Sequence, residues 1–129
     1  MYGPDVTFLG VPAADLSQPS TYAGADVIII GAPYDGGTSH RPGARFGPLA
    51  IRTTDYLPYD GSRPHLALGV DPLADLRVVD VGDVEMPGGE IEKSMARLEE
   101  AVQQSASSGA VPVVLGGDHT IAWPDVTGV

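Results

Sequence analysis

Three short runs of adjacent apolar residues stand out along the chain: Asp26-Val-Ile-Ile-Ile-Gly31, Leu76-Arg-Val-Val-Asp-Val81 and Val111-Pro-Val-Val-Leu115. Their β-branched residues follow one another without strict polar alternation, which suits strands covered on both faces and predicts a buried parallel sheet. Glycines close all three, at Gly31, Gly82 and Gly116-Gly117. Between the second and third runs the period changes. Ile91, Met95, Leu98, Val102 and Ala106 recur at helical spacing, so a helix is predicted over about Glu90 to Ser108 with one apolar stripe. Glu90 and Glu92 fall in its first turn, where the helix dipole favours them, and Gly109 is placed to end it. Strand, helix and strand make a βαβ unit with a right-handed crossover expected. A shorter helix is predicted from Pro48 to about Asp55. Gly31 to Gly47 reads as a long loop, of a length usually tied to function, and Pro58 to Pro72 as a second irregular stretch.

The chain has 129 residues, enough to bury a core, and 43% of them are hydrophobic. Its 17 glycines and 12 prolines fall in clusters, which suits an α/β protein with elaborate loops. The net charge of −10 would repel a nucleic-acid backbone, so no nucleic acid is expected as a partner. The same field would draw cations, guanidinium compounds included, although acidity for solubility alone would look the same. Cysteine is absent, which excludes disulfides and thiolate sites. The first residues lack a basic start and a sustained apolar run, and no stretch approaches membrane-spanning length. A soluble, cytoplasmic protein with no membrane partner is the expectation.

Three clusters carry possible chemistry. Gly116-Gly117-Asp118-His119 follows the third strand, and ligands in open parallel sheets gather beyond the strands' carboxyl ends. His119 could ligate a metal, or merely bond to solvent in a loop. The second cluster runs from Gly31 to Pro48 and includes Asp35, His40, Arg41, Arg45 and Gly47. Its arginines could bind an anion, but the residue chemistry favours ion pairs that pin the loop. The third, Asp80-Val-Gly-Asp83-Val-Glu85, could hold a hard cation; strand alternation favours a solvated loop end instead.

Taken in order, the clusters resemble the ureohydrolase (arginase/agmatinase) family, in its agmatinase-like branch. Arg41-Pro-Gly-Ala-Arg45-Phe-Gly47-Pro48-Leu-Ala-Ile-Arg52 resembles the branch's N-terminal signature, and Asp80-Val-Gly-Asp83 its second-strand ending. Val114-Leu-Gly-Gly-Asp-His119 is similar to the family's first metal-ligand motif, and Thr7-Phe-Leu-Gly-Val-Pro12 to a segment near its N-terminus. Any one match would be weak, whereas three in order across most of the chain are specific.

The resemblance implies an α/β fold with three layers, α/β/α, around a parallel sheet, arginase-like and incomplete in this chain. Residues 1–129 would be the N-terminal part of a single ureohydrolase domain. The family reaction would hydrolyse a small guanidino substrate, agmatine first, to urea and an amine, with a water activated by two Mn²⁺ ions. Guanidinobutyrate, guanidinopropionate, arginine and formiminoglutamate are the alternatives within the family. His119 carries over as a metal ligand; Asp118, Gly116, Gly117, Arg45, Gly47 and Pro48 carry over as supporting or structural motif residues. No catalytic residue carries over, because the family's Asp-Ala-His-Ala-Asp and Ser-x-Asp-x-Asp types of run are absent. The expectation is therefore part of a longer enzyme, a homo-oligomer when complete, with this stretch inactive alone. A rival reading is a non-catalytic α/β module that binds a partner or assembles with a separate chain.

Overall fold

The computed structural model describes residues 6–54 and 65–129. The strands are β1 (Val27–Ala32), β2 (Val78–Asp83) and β3 (Val111–Gly116). The helices are α1 (Gly47–Thr53), α2 (Pro72–Asp75), α3 (Ile91–Ser107) and α4 (Ala122–Gly128). Single 3-10 turns lie at Phe8–Gly10, Pro19–Thr21, Ala44–Phe46 and His119–Ile121. The three strands form one parallel sheet in the order β2-β1-β3. Val27 is aligned with Val78 on one side and with Val111 on the other.

Alternation along β1 sends its side chains into two separate packings. Ile28, Ile30 and Ala32, with Val79 of β2, pack against Leu98, Ala101 and Val102 of α3. Ile29 points the other way and joins Val78 and Val11, with Phe8, Leu73 and Leu115 alongside. Each fully buried aliphatic side chain contributes about 1.5–3 kcal/mol through its removal from water. The continuous apolar run predicted for a strand covered on both faces is therefore realised in β1. It is not realised in β3, whose Val111 and Val113 remain 61% and 39% exposed. The reason is cover on one face: Val114 packs with the α3 cluster, whereas Val111 and Val113 belong to neither core cluster.

The long helix falls within a residue of its predicted limits, and Gly109 follows it with φ of 89°. Its buried face differs from the predicted stripe. Ile91 is 47% exposed, while Ser94, Leu98, Ala101, Val102 and Ser105 are buried. The stripe assumed one partner, and α3 has two. It packs on the sheet and also on α4, where a Cβ added at Gly128 would lie 2.8 Å from both the Glu99 carbonyl and Val102 Cβ. The buried serines satisfy themselves locally, Ser94 Oγ donating to Pro87 O at 3.1 Å and Ser105 Oγ to Ala101 O at 2.8 Å.

Helix α1 starts one residue before the prediction and ends at Thr53; Asp55, its predicted end, lies outside the described residues. The same holds for residues 58–64 of the second irregular stretch. The rest of that stretch contains a bridge between His65 and Val70 and then α2, where Asp71 caps the Leu73 N–H at 3.3 Å.

Candidate active-site face at the strand ends

Three connections leave the carboxyl ends of the strands on the same side of the sheet, and hydrogen bonds tie them together. After β1 the chain turns at Tyr34, which is buried, into Asp35-Gly36-Gly37. Asp35 Oδ2 accepts from the Gly43 N–H and from Arg45 Nη1, both at 2.7 Å, so one carboxylate closes the loop on itself. Burial alone would raise the Asp35 pKa, but the Gly43 N–H and the Arg45 guanidinium outweigh it and hold it below the ordinary carboxylate range. Arg45 also lies over the Phe46 ring, 4.5 Å from its centroid. The loop-pinning ion pair expected of the arginines is present for Arg45. Arg41 is exposed and forms no ion pair with the described residues.

After β3 the chain passes through Gly116 and Gly117, joined by a cis peptide bond, to Asp118 and His119. Gly117 has φ of 107°, and a Cβ there would lie 2.5 Å from Ala32 O, so the turn is seated directly on the end of β1. Gly47 is seated just as closely: its Cβ would collide with the Gly116 carbonyl, and this brings the start of α1 against the same turn. Pro48 behind it is buried, at a first-turn position that suits proline. Asp118 Oδ1 accepts the Thr120 N–H at 2.8 Å, capping the turn that begins at His119, and Oδ2 accepts the Gly37 N–H at 2.7 Å. Burial and the nearby Asp35 charge would raise the Asp118 pKa; the bonds to Thr120 and Gly37 prevail and lower it.

The end of β2 corrects the expectation of a solvated loop. Asp80 is 1% exposed, and Arg52 of α1 meets it side-on, Nε to Oδ2 and Nη2 to Oδ1 at 2.8 Å each. The third nitrogen, Nη1, bonds Asp83, and Nη2 also donates to Gly82 O at 3.1 Å. Gly31 is glycine for this reason, since a Cβ would run into Asp83 Oδ1 and lie 2.9 Å from Arg52 Nη1. Asp80 and Asp83 are thus engaged by a guanidinium, while Glu85 pairs with Arg97 at 2.9 Å from an exposed position. Arg52 was not singled out from the sequence, although a signal existed. An aspartate inside a strand read as buried requires a cation, and Arg52 sits on a predicted helix nearby in the motif.

A cleft of about 780 Å³ opens between the ends of β1 and β2, lined among others by Tyr34, Asp35, Phe46, Leu49, Asp83 and Met86. His119 does not line it. The imidazole is exposed on the neighbouring turn and forms no hydrogen bond or ion pair with the described residues, so its nitrogens are available to a ligand. Among the described residues no three His, Cys, Asp or Glu side chains converge on a metal-sized site. His119 fits a metal as one donor; Asp118 holds a backbone N–H on each oxygen, and Asp35 holds the Gly43 N–H and Arg45 on Oδ2.

The arginase family pattern matches residues 25–129. The chain therefore belongs to the arginase family. Among curated relatives, the mitochondrial agmatinase of Gallus gallus is 43% identical over 101 residues, covering 78% of this chain and 29% of the relative. Among solved structures, the proclavaminate amidino hydrolase of Streptomyces clavuligerus superposes with a TM-score of 0.75 at 30% identity, covering 98% of this chain and 40% of that one. The Trypanosoma cruzi formiminoglutamase solved with Mn²⁺ superposes at 0.70 and 32% identity, covering 96% and 40%. The chain thus spans well under half the length of these proteins, and the parallel sheet with its helices is an incomplete arginase-like fold.

Proposed function

We propose that residues 1–129 form the N-terminal part of a single ureohydrolase domain in a longer enzyme. That enzyme hydrolyses a guanidino compound, agmatine first, to urea and an amine. The observation that supports this most is His119: in an arginase-family chain, its unengaged imidazole stands at the carboxyl end of β3, beside a cleft at the ends of β1 and β2. A neutral imidazole with free ring nitrogens is a metal donor, and the relative from T. cruzi was solved with Mn²⁺. When bound, such ions supply a water acidic enough to act as a nucleophile at neutral pH.

The chain's own residues do the supporting work in this reading. Asp118, Gly116 and Gly117 hold the His119 turn, Arg45 closes the cleft wall through Asp35, and Gly47 with Pro48 sets α1 against the turn. None of the chain's residues is assigned a catalytic step. The acidic balance of the chain favours the approach of a cationic substrate. The three relatives are named for different substrates, so agmatine rests on the motif resemblance. A homo-oligomer and a cytoplasmic location belong to the same reading. Among the described residues no helix is long and apolar enough to cross a membrane, while the chicken relative is named mitochondrial.

The test is the complete protein, loaded with Mn²⁺ and offered agmatine, guanidinobutyrate, guanidinopropionate, arginine and formiminoglutamate. Urea from agmatine, lost together with bound Mn²⁺ in His119→Ala, is expected. No product from any compound would leave the non-catalytic module standing instead. Normal turnover and full Mn²⁺ content in His119→Ala would remove His119 from the site.

A further inference from the structure

Among the described residues, the hydrogen bonds between the turn that carries His119 and the loop that walls the cleft all run through Asp118. Asp118 donates its N–H to Tyr34 O at 2.8 Å, accepts the Gly37 N–H on Oδ2 at 2.7 Å, and accepts the Thr120 N–H on Oδ1 at 2.8 Å. Capping the His119 turn requires only Oδ1. The bond from Oδ2 goes instead to a residue 81 positions away in sequence, in the loop whose Tyr34, Asp35 and Gly36 line the cleft. The two surfaces also interlock without hydrogen bonds. A Cβ at Gly37 would collide with Thr120 Oγ1 and lie 3.1 Å from Asp118 Oδ2.

We propose that Asp118 is a positioning residue that makes the cleft wall and the His119 turn one rigid unit, so that the place where substrate sits is registered against the imidazole. This rests on the reading above, in which the cleft and His119 serve one active site. A charge-assisted bond is strong enough for the task, since the carboxylate holds two backbone donors that no other described side chain receives.

The experiment compares the complete wild-type protein with Asp118→Ser, Asp118→Ala, Gly37→Ala and the double variant Gly37→Ala/Thr120→Ala. Serine still caps the Thr120 N–H but is too short to reach Gly37. Amide exchange across residues 33–40 should therefore rise about tenfold or more in Asp118→Ser, as in Asp118→Ala, while α3 is unchanged. With the best guanidino substrate, kcat/KM should fall about tenfold to a hundredfold in Asp118→Ser. Gly37→Ala attacks the same junction from the opposite side and should show the same signature. Thr120→Ala, which removes the colliding hydroxyl, should reverse it. If Asp118→Ser exchanges like wild type and only Asp118→Ala loosens, Asp118 is a cap and the coupling is wrong. Unreversed loosening in the double variant also overturns it. Should the wild-type protein release no urea from any guanidino compound, the functional reading fails, whereas the exchange pattern still decides whether the two surfaces are joined.

Discussion

Arg52 and Asp80 form a two-bonded, enclosed pair in which both carboxylate oxygens receive guanidinium protons at 2.8 Å. Burial taken alone would lower the Arg52 pKa; the bonds and charges of Asp80 and Asp83 overcome it and raise the value further. Asp80 also accepts the N–H groups of Phe8 and Gly82, both at 2.8 Å, so three segments of chain converge on one carboxylate.

Removing one partner from such a pair strands the other charge. Arg52→Ala is expected to cost about 3–5 kcal/mol in denaturant-induced unfolding. Arg52→Lys keeps the charge but loses the fork, and about 1–3 kcal/mol should be lost. Wild-type stability in Arg52→Ala would show that Asp80 finds other partners.

Gly31→Ala tests the same junction from the strand. The methyl would collide with Asp83 Oδ1 and crowd Arg52 Nη1, so destabilisation of about 2 kcal/mol or more is expected from overpacking. In a double-mutant cycle with Arg52→Ala the two losses should fall short of their sum, because both break one contact. Strict additivity would place the clash elsewhere.

On α3, Leu98 is fully buried between helix and sheet, whereas Glu100 is exposed. Leu98→Ala should cost about 2–5 kcal/mol, and Glu100→Ala under ~0.5 kcal/mol. Comparable shifts in unfolding midpoint would mean that the helix face is wrongly assigned.

The Asp35 clamp carries a pH signature. Its folded pKa is lowered, so its contribution is fully present above the unfolded-state value and disappears as pH falls through the folded one. Amide exchange at residues 41–45, corrected for intrinsic rates, should be flat at neutral pH and rise only below the ordinary carboxylate range. Asp35→Asn, with no carboxylate to titrate, should be loose throughout and show no such step.

The strands and the long helix were legible because their signals are local: a β-branched run, a 3.6-residue period, a terminal glycine. Family membership was legible because three motifs occur in order, none sufficient alone. The face of α3 was not, because the spacing of apolar residues along one helix cannot reveal a second partner, and α4 is that partner. The exposure of Val111 and Val113 follows from the lack of cover on one face of β3, which apolar content does not encode. Around the candidate site, the glycines announced tight turns but not their neighbours. That Gly31 makes room for Asp83, and Gly37 for Thr120, depends on contacts between distant stretches. The buried aspartate of β2 announced that a cation was needed, but that Arg52 of α1 supplies it depends on tertiary packing.

The placement of β1 between β2 and β3 has a kinetic consequence. Both pairings are parallel, so each closes a long intervening stretch before any ladder bond is gained, and the β3 pairing closes the longer one. During vectorial synthesis the first strand must wait, its apolar edges open, until the others emerge. The histidine turn can lock onto Tyr34 and Gly37 only after β3 docks. The join between these two surfaces thus waits on the longer of the two closures, and nascent chains are exposed to misassociation until it is made.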